Sequence, residues 1–280
     1  MNENLLNGWK YYNHAAVPAI APHMEADTAP LDDGTIWDMR GGKPLLVRWT
    51  SDFDCRVETE WWYCIKDTPF DIKAVKAKRR YEITKGIRNY AVKLIDPQKF
   101  IDGLFVVQSE AFSAYPTGYR PVIKREFFEK QVRSWENYIC YGAFDRESGD
   151  ICGYALLEDF GDWISFQVLK VIPSCEKKGV NAALIAQIIE DLNPRLDGNC
   201  YICDGERNIM HQTHFQEYLE KYFCFRRAYC RMHIRYKKGV CFIVKGLYPF
   251  RNFISKFNGR AATKVKAVLF MEQIRRSFEN

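Results

Sequence analysis

Residues 168–185 read VLKVIPSCEKKGVNAALI, and this stretch decides the fold. Apolar residues of a strand come first, and apolar residues at helical spacing follow. A short loop with Lys177, Lys178 and Gly179 joins the two. Because the first N–H groups of a helix lack internal partners and lie at its positive end, this loop can bind a phosphate, with Gly179 allowing close approach. The same glycine is equally typical of simple packing between a strand and a helix.

Strands and helices alternate on both sides of this stretch, which favours an α/β domain with a mixed sheet. Asp71 is a suitable N-cap for a first, basic helix that continues to residue 87, and Asp96 followed by Pro97 starts another. The other expected elements are strand 91–95, helix 124–134, a hairpin of strands 138–144 and 151–157, strand 163–172, a helix from 178, strand 199–203, helix 210–222 and strand 228–236.

The chain is expected to have three parts. Residues 1–68 are aromatic-rich and interrupted by turn signals, so they predict an irregular, strand-containing extension that packs on the core. Residues 69–240 form the α/β domain. Residues 241–280 form a C-terminal tail whose basic amphipathic helix covers 261–278.

Composition narrows the class of protein. With 280 residues, of which 47% are hydrophobic, the chain can bury a substantial core, yet no apolar run reaches the length of a membrane span. The first residues lack the pattern of a signal peptide, so we expect a cytoplasmic protein. The ten cysteines favour reduced core thiols. Cys200 and Cys203 form a CxxC, but on a strand they point to opposite faces, so no metal site is expected.

Three segments carry a resemblance to a known superfamily. Residues 176–182, EKKGVNA, lie in the order of elements where GNAT acyltransferases have an (Arg/Gln)-x-x-Gly-x-(Gly/Ala) loop, with Glu176 and Asn181 in place of two usual residues. Residues 218–228 resemble that family's Tyr-x-x-x-Gly-Phe segment, with Cys224 in the glycine position. The basic stretch 76–85 followed by 90–95 resembles Fem-type aminoacyltransferases and related surface-polysaccharide proteins. The chain is therefore similar to the GNAT superfamily, and a GNAT-like fold is expected over residues 70–237.

The resemblance implies that acetyl-CoA or another acyl-CoA is the donor and that no metal takes part. In the family the donor lies between two parallel strands that separate. Here the implied contacts are the strand residues Lys170, Val171 and Ile172 and the loop residues Lys177, Lys178, Gly179, Val180, Asn181 and Ala182. The implied acceptor is an amine on a small molecule or sugar, such as an amino sugar or amino acid of cell-surface polysaccharide biosynthesis.

Catalysis by such an enzyme needs a base for the amine and an acid for the leaving thiolate. The polar segment 204–211 supplies Asp204, Glu206 and His211 as candidate bases, and Glu158 or its neighbour Asp159 is a further candidate. Tyr222 and Tyr218 are the candidate acids. Each has a simpler interpretation: Asp204 and Asn208 as helix caps, His211 as a surface residue and the tyrosines as packing residues.

Two basic segments have alternative interpretations. Residues 73–85 are either a solvated face or a site for a tRNA or another phosphate-bearing ligand. The C-terminal helix either docks on protein or makes peripheral contact with an anionic membrane. The competing functions are therefore an acyl-CoA N-acyltransferase, an aminoacyl-tRNA-dependent Fem-type transferase, and a GNAT-fold binding protein without activity.

Overall fold

The computed structural model describes residues 5–115, 120–209, 214–257 and 259–278. They divide into two compact units, one drawn from residues 1–63, 206–213 and 227–280 and the other from 64–205 and 214–226. The sequence placed its boundaries at 68 and 240, whereas the structure groups 227–240 with both chain ends. Residues 231–236 fall there because they pair antiparallel with residues 46–51 of the N-terminal part.

Eleven strands and ten helices are found within the described residues. The strands are β1 Trp9–Tyr12, β2 Ala15–Pro18, β3 Leu46–Ser51, β4 Trp62–Lys66, β5 Tyr90–Leu94, β6 Tyr138–Asp145, β7 Ile151–Asp159, β8 Trp163–Val171, β9 Tyr201–Glu206, β10 Arg226–Tyr229 and β11 Arg231–Tyr236. The helices are α1 Ala29–Asp32, α2 Ala77–Asn89, α3 Ile101–Ser113, α4 Arg125–Arg133, α5 Pro173–Glu176, α6 Val180–Leu192, α7 Phe215–Phe223, α8 Lys238–Leu247, α9 Arg251–Ile254 and α10 Arg260–Ser277.

The larger sheet has the order β10-β4-β9-β8-β7-β6-β5. Strands β5 to β8 pair antiparallel, and β8 pairs parallel with β9. Successive side chains of β7 enter different cores: Leu157 packs in a cluster with α6 and α7, while Leu156 packs in a cluster with α3 and α4. Helices therefore cover both faces, and the mixed α/β fold predicted from the sequence is confirmed.

Two predicted elements were wrong in their bounds. The single strand expected over 228–236 is divided into β10 and β11, which belong to different sheets. Asp71 does not begin the basic helix, because it accepts a hydrogen bond from the Lys73 N–H (2.8 Å) and caps a 3-10 turn of Ile72–Ala74. Val75 then adopts an extended conformation, so α2 begins only at Ala77.

The first unit has its own sheet and core. Its sheet has the order β1-β2-β3-β11, and α10 packs against β11 and α8. Glu272 of α10 is only 2% exposed and is paired with Arg275 and Arg276, and it accepts a hydrogen bond from the Tyr236 hydroxyl (3.0 Å). These partners compensate the charge, and the Glu272 pKa lies below its ordinary value because their hydrogen bonds outweigh burial.

All ten cysteines are free, and Cys200 and Cys203 are both buried, as the core-packing interpretation predicted. Among the described residues, no cluster of His, Cys, Asp and Glu is suited to hold a metal ion. No helix in the described ranges has the length and apolar character that crossing a bilayer requires.

Candidate active site between strands β8 and β9

The parallel strands β8 and β9 separate after three residues. Trp163 pairs with Tyr201, Ile164 with Ile202 and Ser165 with Cys203. β8 then continues to Val171 and β9 to Glu206 with no further pair between them in the described structure. This separation is the geometry that the sequence resemblance implied for a donor site, and it lies where an α/β sheet opens its crevice.

A bulge in β8 accompanies the separation. Leu156 of β7 pairs with Val168 and Leu157 with Phe166, which leaves Gln167 as the extra residue. Beyond the bulge, the Ile172 N–H donates to the Cys152 carbonyl (2.9 Å) and is therefore directed toward β7. Because backbone groups alternate in direction along a strand, Leu169 and Val171 face the open side. Of the three residues named from the sequence, only Val171 thus directs its backbone toward the separation, and the sequence missed Leu169.

Asp204 is the first residue of β9 after the last pair. It lies on the sheet face covered by α6 and α7, since Ile202, two residues earlier, packs in that core. Burial raises the pKa of Asp204 to about 7, although a hydrogen bond from the Gln216 side chain partly opposes this. A carboxyl group with a pKa near neutral pH can both accept and release a proton there.

The first turn of α7 contacts both strands where they separate. Phe215 packs on Phe166 of β8 with 6.1 Å between ring centroids, and Gln216 bonds Asp204 of β9. His214 is the N-cap of α7, whereas residues 210–213, where the sequence predicted the start of the helix that Asp204 or Asn208 would cap, lie outside the described residues. Gln216 was not predicted, although a polar residue in line with Leu219 and Phe223 on a buried helix face was a usable signal.

Tyr218 and Tyr222 lie one turn apart on α7, with ring centroids separated by 4.7 Å. Both are half-buried, and Tyr218 also contacts Phe215 and Phe223. Burial, together with Tyr222 and Glu82, raises the pKa of Tyr218 above its ordinary value, so its hydroxyl stays protonated at neutral pH. Both tyrosines therefore pack, and the Tyr218 hydroxyl keeps a proton to donate.

The other described candidate bases do not lie beside Asp204. Glu158 pairs with Ser165, which pairs with Cys203, so Glu158 lies on the opposite face of the sheet, where its carboxylate accepts from the Gln167 side chain (3.1 Å). Asp159 forms an ion pair with Arg195. Glu206, which belongs to the first unit, is paired with Arg48 and accepts from the Tyr63 hydroxyl (3.2 Å). His211 lies outside the described residues.

The loop before α6 packs tightly against α2. Gly179 has φ 93°, a left-handed conformation that favours glycine, and a Cβ there would come within 2.9 Å of the Gly86 Cα. A Cβ on Gly86 would in turn lie 2.3 Å from the Gly179 carbonyl oxygen. The close approach that Gly179 allows is therefore to a neighbouring helix. Gly86 was not predicted, because the sequence of a helix does not show which other part of the chain its backbone will contact.

Several polar groups of this loop are already engaged. The Lys177 and Lys178 carbonyls accept from Lys85 (2.7 Å) and Asn89 (2.9 Å). The Lys178 side chain is 3.5 Å from Asp145, while the Lys177 side chain is exposed. Gly179 supplies no side-chain cap, so the N–H groups of Val180, Asn181 and Ala182 are the ones directed out of the helix start. Val180 and Ala182 are buried, and the Asn181 amide oxygen is buried with no partner among the described residues.

Cys224 occupies the position where the resembling segment has glycine. It follows α7 with φ 56°, and its N–H donates to the Leu219 carbonyl, as in a left-handed helix C-cap. The residue type differs from glycine, but the backbone conformation is the one that glycine favours.

No protein-family model and no curated protein matches this sequence. Solved structures do match. The C-terminal domain of a protein named as a lysylphosphatidylglycerol synthetase, from Agrobacterium fabrum, has a TM-score of 0.49 at 10% identity, covering 85% of this chain and 82% of that one. FemX has a TM-score of 0.48 at 9% identity, covering 79% and 81%. An acetyltransferase of the GNAT family from Desulfovibrio desulfuricans has a TM-score of 0.29 at 18% identity, covering 38% and 67%.

These neighbours include both kinds of protein that the sequence resemblance named, an acetyltransferase of the GNAT family and a Fem protein.

Proposed function

We propose that this protein is an N-acyltransferase that moves an acyl group, with acetyl as the first choice, from a CoA thioester to an amine. Asp204 carries the proposal, because a carboxyl group with its pKa raised to about 7 lies where β8 and β9 separate. Perturbed carboxyl groups in such crevices are candidates for acid–base catalysis. On the resemblance alone, we propose an amino sugar or amino acid of cell-surface polysaccharide biosynthesis as the acceptor.

The proposed reaction needs two proton transfers. Ionised Asp204 accepts a proton from the acceptor ammonium, and the neutral amine attacks the thioester carbon. An N–C bond forms, the C–S bond breaks and the electron pair leaves on sulfur. The hydroxyl of Tyr218 or Tyr222 donates a hydrogen bond or proton to that sulfur. Gln216 holds the Asp204 carboxylate in position through its hydrogen bond.

The described residues fit a CoA thioester in part. The outward backbone groups of Leu169 and Val171 can bond the donor's amides, as an added strand would. The uncapped N–H groups of Val180, Asn181 and Ala182, with Lys177, can bind its diphosphate. Lys170 and Ile172 are directed elsewhere, since the Lys170 side chain donates to the Tyr115 hydroxyl (3.1 Å) and the Ile172 N–H is used by β7. A CoA-dependent reaction also requires a compartment that contains CoA, and we propose the cytoplasm.

Calorimetry with acetyl-CoA, free CoA and longer acyl-CoAs tests the donor. We expect acetyl-CoA to bind with a dissociation constant well below millimolar, and an acyl-CoA that binds can then be offered to a panel of amines. If no thioester binds better than millimolar, the donor proposal is wrong. If a thioester binds but no amine is acylated and Asp204→Asn changes nothing, the chain is a binding protein with this fold.

One observation favours a second candidate, an aminoacyl-tRNA donor. Lys73, Lys76, Lys78 and Arg80 are exposed at the start of the basic segment and have no carboxylate partner among the described residues. Arg79 donates to the Lys221 carbonyl (2.7 Å) and Arg80 to the Lys73 carbonyl (3.2 Å), so neither guanidinium is neutralised by a carboxylate. A filter assay with labelled tRNA discriminates the two donors. Binding that disappears when Lys76, Lys78 and Arg80 are changed to glutamate favours tRNA, whereas tight acetyl-CoA binding with no tRNA retention supports the CoA thioester.

A further inference from the structure

Large apolar side chains are exposed along residues 242–257 of the first unit. Phe242 is 78% exposed, Phe253 is 62% exposed, and Ile243, Phe250 and Phe257 are also more than half exposed. In α8 the inward residue Val244 is buried, while Phe242 and Ile243 lie on the solvent side. Phe253 and Phe257 contact each other edge to face, with 5.0 Å between ring centroids. Grouped exposure of this kind marks an interaction surface rather than scattered surface residues.

The same segment is strongly basic. Residues 237–257 contain five Lys or Arg residues, and no Asp or Glu occurs anywhere from residue 221 to residue 271. Lys238, Lys245 and Lys256 are exposed beside the apolar side chains. None of these three has an ion-pair partner within the described ranges. Exposed phenylalanines with free cations favour a surface that is both apolar and anionic.

A cavity of about 290 Å³ lies between α9 and α10, beside these side chains. Its polar lining consists of Arg251, Lys266, Asn252, Ser255 and Gln273, and its apolar lining of Ile209, Leu269 and Phe270. Two cations and three uncharged hydrogen-bonding side chains above an apolar floor suit a phosphate ester attached to an apolar body. The phosphate of such a ligand would contact the polar lining of the cavity, and its apolar body would contact the exposed phenylalanines.

A second copy of this chain fits the surface less well. A self-complementary interface would bring each cation of the segment against the same cations of the other copy, with no acidic residue nearby in sequence to offset the repulsion. The helix that the sequence proposed for membrane contact, now α10, also fits less well, because Met271 and Ile274 are buried in one cluster with Met232 of β11. None of the exposed large apolar residues of the described chain belongs to α10.

We infer that residues 238–257 are a docking surface for an anionic lipid bilayer. Phe242, Ile243, Phe250, Phe253 and Phe257 enter the interfacial region, and the lysines lie among the headgroups. Arg251 and Lys266 bind the phosphate of one anionic lipid in the cavity. The inference does not depend on the proposed acyl transfer, because none of these residues belongs to the β8–β9 site.

Vesicle sedimentation tests the inference on the full chain. We expect binding to vesicles of phosphatidylglycerol and phosphatidylcholine at least about tenfold tighter than to phosphatidylcholine alone, weakening as salt is raised. The double variant Phe253→Ser, Phe257→Ser should lower this binding at least about tenfold. The double variant Arg251→Gln, Lys266→Gln should reduce the preference for phosphatidylglycerol. Circular dichroism establishes that each variant is folded.

Phe127→Ser is the matched control, because Phe127 is 69% exposed on α4 and lies outside the surface. It should leave vesicle binding unchanged. Binding that is absent, or that Phe127→Ser lowers as much as the double phenylalanine variant, overturns the inference. Binding lost in the charge variant but indifferent to Phe253 and Phe257 also overturns it. So does self-association in sedimentation velocity that the phenylalanine variant abolishes, which would assign the surface to a second copy.

Discussion

The end of β9 and the start of α6 are the two parts of the candidate site, and they differ in how their polar groups are used. At the start of α6, Gly179 touches α2, and the carbonyls before it accept bonds from Lys85 and Asn89. At the end of β9, Asp204 is half-buried with a raised pKa, and one amide, that of Gln216, opposes the shift. The loop that matches a family pattern is therefore largely occupied by packing, whereas Asp204, which matches no pattern, has a strongly raised pKa.

This difference shows that a glycine in a strand-to-helix loop predicts a close contact but does not predict whether that contact is with a ligand or with another helix. The role of a carboxyl group at a strand end likewise cannot be predicted until the position of the next helix is known. The start of α7 at Phe215 makes Asp204 a half-buried acid beside Gln216 rather than the cap of α7. Catalytic function is thus expected at β9, and fold stability at the contact between α2 and α6.

The largest expected effect is that of Asp204→Asn. Losing a general base should lower the rate of acyl transfer at least about 100-fold while donor affinity stays unchanged. Glu158→Gln, on the opposite face of the sheet, is the comparison variant and should lose little. Steady-state kinetics and calorimetry check both. A larger loss in Glu158→Gln than in Asp204→Asn would reverse the assignment.

Asp204→Asn should also raise the free energy of unfolding above pH 7, whereas removal of a carboxylate that stabilises the fold would lower it. The folded chain holds this proton more tightly than the unfolded chain, since the pKa rises from 3.8 to about 7. Stability is therefore lost as pH rises through that range. The asparagine variant avoids the loss, so urea unfolding should show it to be more stable than the native chain at pH values above 7. Lower stability there would contradict the burial account.

Gly86→Ala tests the contact between α2 and the start of α6. The new methyl group would lie 2.3 Å from the Gly179 carbonyl oxygen, which is backbone and cannot turn away. We expect the free energy of unfolding to fall by about 2–3 kcal/mol, measured by urea denaturation. Gly246→Ala in α8 is the control, because a methyl group there would meet no atom within 4 Å, and it should gain up to about 1 kcal/mol. Equal effects of the two variants would show that α2 and α6 are not in close contact.

Cys224→Gly tests the C-terminal end of α7. Glycine avoids the cost of the left-handed conformation at φ 56°, so the free energy of unfolding should rise by about 1 kcal/mol. Cys241→Gly, inside α8, should instead lose about 0.3 kcal/mol, because glycine is a slightly poorer helix residue than cysteine. Thermal unfolding of both variants gives the comparison. A loss of stability in Cys224→Gly would mean that the side chain itself contributes there.

The smallest expected effect is that of Lys177→Gln. If the start of α6 binds a diphosphate, donor affinity should fall about threefold, since an exposed charge contributes less than about 1 kcal/mol. Lys130→Gln, another exposed lysine, should have no effect. Calorimetry with acetyl-CoA measures both. No change in Lys177→Gln would restrict this loop to its packing role.

Local patterns were sufficient for much of the fold. The β6–β7 hairpin and α6 were predicted because their side-chain periodicity is complete within a few residues. The split between β10 and β11 was not, because it depends on which distant strands each half pairs with. α8 was also missed, since Phe242 and Ile243 on its solvent side remove the usual contrast between polar and apolar faces.

The candidate site was predicted less completely than the fold. Asp204 was named among the possible bases, but choosing it over Glu158 required knowing which face of the sheet each side chain occupies. The role of Leu169 depends on the bulge at Gln167, which has no local sequence signal, whereas Gln216 could have been noticed as a polar residue on the buried face of α7. The pKa of Asp204 depends on burial, which the whole unit determines.

Carbon-detected NMR titration of the aspartate carboxyl carbons tests the central claim without any substrate. The signal assigned to Asp204, identified by its absence in Asp204→Asn, should titrate near pH 7. An Asp204 signal that titrates near pH 4, as an exposed aspartate does, would contradict the assignment of Asp204 as the base of this site.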